Sequence, residues 1–340
     1  MLAIQKSKSI FVLCTGGTIS MQRTGKGYAP SSGHLAAAME KIPEFSNPDM
    51  PNYTLYEYEN PIDSANMTPQ HWVQIGEHIQ KNYEKYDGFV VLHGTDTMAY
   101  TASALSFMLE NLNKPVIITG SQLPLYETRN DARENLINAI LMAGHSRIPE
   151  VCIYFNNKLF RGNRSKKLDA NSFAAFASPN FPALGKVGTD VVIRHHLARL
   201  TTTENFNLQK ISEPNIGSVR IFPGISYDML SHYLRSPLQA LVLEAYGFGN
   251  APQDETFLKI IRRAVKENIV IVNCSQCPTA KVKMSAYAAG SALSEAGVIS
   301  GGDMTAEAAL AKLFYLYSKA LPISDIKRLL IEDLRGELTV

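Results

Sequence analysis

The sequence predicts an α/β protein, with a larger N-terminal domain on a doubly wound, mostly parallel sheet and a smaller C-terminal α/β domain. Three observations predict it. Short β-branched runs alternate with helical patterns along most of the chain, which is the rhythm of strand–helix–strand crossovers. Runs such as F-V-V-L at 89–92 and V-I-I at 116–118 are apolar without a break, as strands covered on both faces require. The length of 340 residues, 45% hydrophobic and 19% charged, gives about two domains of roughly 150 residues each, with enough apolar material for full cores.

Taken in order, strands are expected over 10–14, 53–58, 88–93, 116–119 and 151–155, with helices over 69–83, 99–111 and 132–143. Thr68-Pro69 is a helix start, because threonine caps and proline suits the first helical position. The rhythm stops at T-T-T-E-N-F-N-L-Q-K-I-S-E-P-N, residues 201–215. This polar stretch shows neither period and reads as the linker between a catalytic domain over 1–200 and a second domain over 216–340. The alternation then resumes, with strands at 219–222, 240–243 and 269–274 and helices at 254–266 and 306–319.

Composition excludes several classes. A net charge of +2, from 33 Lys+Arg against 31 Asp+Glu, lacks the basic footprint of a nucleic-acid binder. No apolar stretch reaches the ~18 residues needed to span a bilayer, and the N-terminal apolar run is too short for a signal peptide. The four cysteines do not make a disulfide framework in a chain of this length. A cytoplasmic protein that acts on a small molecule is expected, without nucleic acid or membrane as partner.

In a parallel sheet, ligands sit beyond the carboxyl ends of the strands. Two hydroxyl-rich turns fall at such ends. Thr15-Gly16-Gly17-Thr18 follows the first strand, and His93-Gly94-Thr95-Asp96-Thr97 follows the apolar residues 88–92. Either alone could be a tight turn with a helix cap. Their recurrence at matching strand ends favours a site that includes Thr18, Thr95 and Asp96.

Better-known chemistries are missing. There is no Walker A loop, no G-x-S-x-G elbow and no H-E-x-x-H. Gly247-Phe248-Gly249 begins like a dinucleotide fingerprint but places Pro252 at the third glycine. Cys274-x-x-Cys277 lacks the second ligand pair that a zinc site needs, and His195-His196 has no acidic or cysteine partner nearby. A metal is not expected. What remains is a hydroxyl nucleophile, which needs a base. Lysine can serve when burial or nearby charge keeps it near neutrality, and Arg161-Gly162-Asn163-Arg164-Ser165-Lys166-Lys167 supplies candidates. Otherwise that segment would read as a solvated basic loop.

Together these residues resemble the bacterial-type L-asparaginase family, in its cytoplasmic type I branch. T-G-G-T-I at 15–19 and H-G-T-D-T-M at 93–98 are similar to the family's two signature turns. The likeness continues through L-S-F-M-L-E-N-L, K-P-V-I-I-T-G-S-Q, F-R-G-N-R and D-L-R-G-E-L-T, over essentially the whole chain. The resemblance implies hydrolysis of L-asparagine to L-aspartate and ammonia without a cofactor. It implies Thr18 as nucleophile and Tyr28 as the tyrosine of a mobile lid hinged at Gly25 and Gly27. It implies Thr95 positioning or activating water or the nucleophile, Lys167 supporting deprotonation, and Asp96 orienting Lys167 and receiving the substrate ammonium. Lys167 rather than Lys166 is the match, because it lies third after Arg164. Asp63, Ser64 and Ala65, in P-I-D-S-A-N-M, match the segment that holds the substrate's α-carboxylate and ammonium. A homodimer or homotetramer is implied as well.

Glu244 stands where switched type I members have an effector-binding arginine, and Lys166 where they have a threonine, although Cys277 matches. An altered or absent effector site is therefore expected. The competing readings are an amidase of the same family with a different substrate (a glutaminase or a tRNA-dependent amidotransferase subunit), a phosphate-cradling small-ligand sensor, and a redox or metal module at Cys274 and Cys277. The first turn lacks a phosphate-binding lysine, and no RNA-binding extension is evident.

Overall fold

The computed structural model describes residues 8–25, 27–30, 33–286 and 288–339. It divides into two compact units. The first runs to Ser178 and resumes over Pro182–Gln209; the second comprises Pro179–Phe181 and the chain from Lys210. Both are α/β, and the first holds the larger, mostly parallel sheet.

In the first unit, β1 (Ser9–Gly16), β2 (Asn52–Ile62), β3 (Gly88–Leu92), β4 (Val116–Thr119) and β5 (Val151–Phe155) are joined by parallel pairings. Helices α1 (Pro69–Asn82), α2 (Met98–Met108) and α3 (Ala132–His145) form the crossovers. At the start of α1, which Thr68-Pro69 marks in the sequence, the Thr68 hydroxyl and the His71 ring close a reciprocal capping box. Every residue of β3, β4 and β5 is buried. Residues with cover on both faces can be apolar throughout, which made these strands legible.

Register decides where the site can be. Cys14 pairs with Leu92, and Leu92 with Thr119, so β3 and β4 end level with Cys14, two residues before the end of β1. On the other side Gly16 pairs with Ile62 of β2. Four turns therefore leave the sheet at neighbouring points.

Past β5 the sheet changes direction. Asn156 and Asn157 take φ values of 45° and 62°, the left-handed pair that a two-residue hairpin turn needs and that asparagine tolerates. The chain folds back as β6 (Lys158–Arg161), antiparallel to β5, and β7 (Gly185–Val187) and β8 (Val191–Ile193) extend the sheet antiparallel. The final order is β8-β7-β6-β5-β4-β3-β1-β2.

In the second unit, β9 (Ile216–Arg220), β10 (Ala240–Ala245), β11 (Val270–Ser275) and β12 (Ile299–Ser300) form an all-parallel sheet in that order. It is covered by α4 (Glu255–Lys266) and α5 (Ala306–Ser318), among others. β9 begins earlier than the pattern suggested. Gly217 looks like a breaker, but the Tyr233 ring occupies the space where its side chain would be. The division after Gln209 lies inside the polar 201–215 stretch. Within that stretch Asn207–Leu208 pairs with Leu109–Glu110 of the first unit.

The second unit carries a fully buried ion pair. Lys312 Nζ of α5 lies 2.5 Å from Glu337 Oε1, with both side chains 0% exposed. Lys312 also donates to the carbonyl of Leu330, and Glu337 accepts from the backbone N–H groups of Leu334 and Arg335. Removing one member of such a pair leaves the other buried without its counter-charge. Lys312→Met should therefore destabilise the protein by about 3–5 kcal/mol in urea unfolding. Glu337→Gln, which keeps an acceptor for the two backbone donors, should lose less; equal stability of Lys312→Met and the parent would refute this account.

Candidate functional site

The turns at the carboxyl edge are held together by backbone contacts that leave no room for side chains. Gly17 takes φ of 83°, and a Cβ there would overlap the backbone of Gly94; a Cβ on Gly94 would in turn overlap Ser64 Oγ. Glycine is the residue that combines such a φ with so close an approach. Thr15 Oγ1 donates to Leu92 O at 2.9 Å, and Thr97 Oγ1 donates to Ser64 O at 2.7 Å. The turns at Thr18, Ser64 and Thr95 are thereby tied edge to edge.

Thr18 opens a short helical turn, Thr18–Ser20, and is partly exposed while its neighbours Gly17 and Ile19 are buried. Thr95 is 6% exposed. Its hydroxyl accepts from Lys167 Nζ at 2.8 Å, and Lys167 Nζ also donates to Asp96 Oδ1 at 2.7 Å. The Lys167 side chain is 19% exposed against 65% for Asp96, so the carboxylate opens outward while the amine is covered. A hydroxyl, an amine and a carboxylate in line form a path that can hold or move a proton.

Lys167 arrives here because of the hairpin after β5. The chain turns through Gly162–Arg164 and pairs Lys167 with Phe176. The preceding basic segment is not a solvated loop. Arg161 and Arg164 are buried, and Arg161 forms a two-pronged pair with Glu150 at 2.5 and 3.0 Å. Glu150 also accepts from Arg199 N at 2.6 Å, so a planar fork matched to a carboxylate anchors the segment that delivers Lys167.

The other predicted residues are placed as follows. Asp63 caps the turn Ser64–Asn66 by accepting from Ala65 N at 3.0 Å; Ser64 is buried and Ala65 exposed. Tyr28 lies on a hairpin of Met21–Thr24 and Gly27–Pro30, is 44% exposed, and donates to Glu127 Oε1 at 2.7 Å. That bond to a carboxylate raises the Tyr28 phenol above its ordinary value and keeps its hydroxyl away from the Thr95–Lys167–Asp96 chain. Glu244 is the last residue but one of β10, beside Arg220 and Ser218; Cys277 is exposed, and Lys166 precedes Lys167 in the first unit.

The sequence did not point to the groups behind the second turn. His93 is 0% exposed, its Nδ1 is 2.6 Å from Gly94 O, and its Nε2 is 2.9 Å from Thr101 Oγ1, which accepts from Trp72 Nε1 at 3.0 Å. A carbonyl only accepts, so Nδ1 carries a proton; burial keeps the ring neutral, and Nε2 then accepts from the Thr101 hydroxyl. Burial pulls the His93 pKa down to about 4. Gln122, from the turn after β4, is the other: Thr95 Oγ1 donates to its Oε1 at 3.1 Å.

Fold and site together define a two-domain α/β protein with a hydroxyl–lysine–carboxylate chain at the carboxyl edge of a parallel sheet. Family models described as "Asparaginase, N-terminal" and "Glutaminase/Asparaginase C-terminal domain" match residues 9–199 and 215–330. The chain is 51% identical to L-asparaginase 1 of Escherichia coli K12 over 98% of this chain and 99% of that protein. It is 44% identical to the 60 kDa lysophospholipase of Mus musculus, over 99% of this chain and 64% of that protein. Among solved structures, L-asparaginase I of Vibrio cholerae superposes with a TM-score of 0.92 at 45% identity, over 98% of this chain and all of that one. The chain belongs to the asparaginase family.

The neutral His93 makes stability depend on pH. In the unfolded chain imidazole takes a proton near 6.5, whereas the folded ring stays neutral down to about 4. Between those values the unfolded state binds more protons, so stability falls as pH drops, by up to about 3 kcal/mol from this residue. His93→Gln should flatten the curve of unfolding free energy against pH in that window by nearly one proton. An unchanged slope would show that His93 is not the group responsible.

Proposed function

We propose that the protein hydrolyses L-asparagine to L-aspartate and ammonia through a threonine-bound acyl intermediate. The observation that carries the reading is Lys167 Nζ held between Thr95 Oγ1 and Asp96 Oδ1, in a chain 51% identical to L-asparaginase 1 of Escherichia coli K12.

In this reading Thr18 Oγ attacks the carboxamide carbon. Thr95 and Lys167 take the proton released by the attacking oxygen and return it to the departing nitrogen, so ammonia leaves and an ester remains. Water, activated by the same groups, attacks that ester, releases aspartate and restores the Thr18 hydroxyl. Backbone N–H groups of the glycine-rich turns face the carbonyl oxygen as it gains charge, where donors fixed in advance are worth most. Asp96 orients Lys167 and, with its outward carboxylate, receives the α-ammonium; Asp63, Ser64 and Ala65 receive the rest of the amino-acid head. Tyr28, released from Glu127, closes over the bound substrate. No cofactor enters the scheme. The reading extends to a cytoplasmic enzyme of asparagine catabolism that works as a homodimer or homotetramer, with the effector site of switched type I members absent or altered, given Glu244 and Lys166.

Ammonia release from L-asparagine, L-glutamine and D-asparagine tests it. The parent should prefer L-asparagine with a hyperbolic saturation curve, and Thr18→Ala, Thr95→Ala and Lys167→Met should each lower kcat by at least about a thousandfold. Unchanged turnover in the two threonine variants would remove the mechanism. Light scattering at micromolar concentration should return a dimer or tetramer, and a monomer would count against the assembly.

A further inference from the structure

The Thr95 hydroxyl is held from two sides, and only one of them belongs to the chain of Lys167 and Asp96. Lys167 Nζ donates to Thr95 Oγ1 at 2.8 Å, while Thr95 Oγ1 donates to Gln122 Oε1 at 3.1 Å. The other end of the Gln122 amide decides how it is turned: Nε2 donates to Ala170 O at 2.9 Å and to Ser172 O at 3.3 Å. Carbonyl oxygens only accept, so the NH2 group must face them and the amide oxygen must face Thr95. The main chain is fixed as well. Gln122 N donates to both carboxylate oxygens of Asp131 at 3.0 Å, and Leu123 N donates to Oδ1 at 3.1 Å. A polar side chain with its donors and its acceptor all engaged, and its backbone tied to a buried carboxylate, has one orientation open to it.

We propose that Gln122 is a positioning residue for amide hydrolysis: its amide oxygen takes the Thr95 hydrogen bond, turning one lone pair of Thr95 Oγ1 to Lys167 and leaving the other facing the site. The proposal rests on the reading of Thr95, Lys167 and Asp96 as reacting groups. A hydroxyl has one proton and two lone pairs. With the proton committed to a neutral acceptor and one lone pair to Lys167, the second lone pair is free to accept from water or the substrate. Without the amide oxygen, the Thr95 proton turns into the site and occupies that direction. The hydroxyl then reaches the productive arrangement in only part of the population, which lowers the rate of the bound complex more than its affinity.

The test is steady-state kinetics on L-asparagine across pH with the parent, Thr95→Ala, Gln122→Met and Gln122→Glu. Methionine has similar bulk and no amide oxygen, so Gln122→Met should lower kcat about tenfold with KM changed by less than about twofold. Glutamate gives the sharper readout. While protonated it copies both ends of the amide, donating to Ala170 O and accepting from Thr95; once ionised it turns an oxygen on two carbonyls. Relative to the parent at the same pH, Gln122→Glu should be most active at the acid end and lose activity as its carboxyl ionises.

That descending limb should be absent from the parent and from Gln122→Met. Lys167 and Asp96 face position 122 through Thr95, Asp131 lies at its main chain, and Arg129 and Asp169 line the same cavity. All of these persist in every variant, so the new limb belongs to the glutamate. A residue that merely tethered the 170–172 loop would lower stability in both variants and add no limb.

Full kcat in Gln122→Met, or a Gln122→Glu profile parallel to the parent, overturns the proposal. Should Gln122→Met fail to fold, the Gln122→Glu profile decides alone. A parent inactive on asparagine, or a fully active Thr95→Ala, overturns the reading of the site and this proposal with it. An active parent with inactive Thr95→Ala and unaffected Gln122→Met refutes the role of Gln122 only.

Discussion

The whole site depends on the contact of Gly17 with Gly94 and of Gly94 with Ser64. At each contact a single methyl group would overlap backbone or side-chain atoms of the next turn. Parallel register sets the starting condition, since Cys14, Leu92 and Thr119 lie in one row. Register alone would leave the turns at strand spacing, about 4.8 Å apart. The missing side chains let them close further, so that Thr18 and Thr95, each following a contact glycine, flank one patch of backbone. The positive φ at Gly17 is the conformational requirement that goes with that approach.

Polar groups placed behind such a contact have to be fully partnered, because water is excluded. His93 shows how. Its ring bonds the carbonyl of the contact glycine on one side and the Thr101 hydroxyl on the other, with Trp72 closing the line. Gln122 and Asp131 do the same for the turn after β4. Lys167 comes from outside this layer, by way of the Asn156–Asn157 hairpin and the Arg161–Glu150 anchor. The site thus joins a rigid floor made of strand ends to an amine delivered along a separately braced segment.

How much of this could be read in the sequence follows from the range of each interaction. The parallel strands were legible because cover on both faces leaves an uninterrupted apolar run, and Thr68-Pro69 announced α1 because caps are local. The two threonine turns were legible because glycine beside a hydroxyl at a strand end is a local pattern. The hairpin at Asn156-Asn157 carries its own local signal, a pair of residues that tolerate positive φ ahead of the short run K-L-F-R. The buried state of Arg161 depends on Glu150, and nothing in a basic run distinguishes a braced arginine from a solvated one. Gln122 had no local signal at all. A glutamine in a loop becomes informative only when the Thr95 hydroxyl and the Ala170 carbonyl are seen on either side of its amide. Lys312 is similar, an ordinary helix-surface residue by sequence that meets Glu337 only in the folded chain.

The near-zero net charge and the geometry at Asp96 belong together. A zwitterionic amino acid brings one charge of each sign, so a strongly signed surface would attract one end and repel the other. Local placement has to discriminate instead, a role the proposed reaction gives to Asp96. Its carboxylate is bonded on one side to a covered lysine and stands 65% exposed. In the proposed reaction the arriving ammonium becomes its second cationic partner. The same carboxylate that holds the covered amine against Thr95 thus stands open toward the arriving amino-acid head.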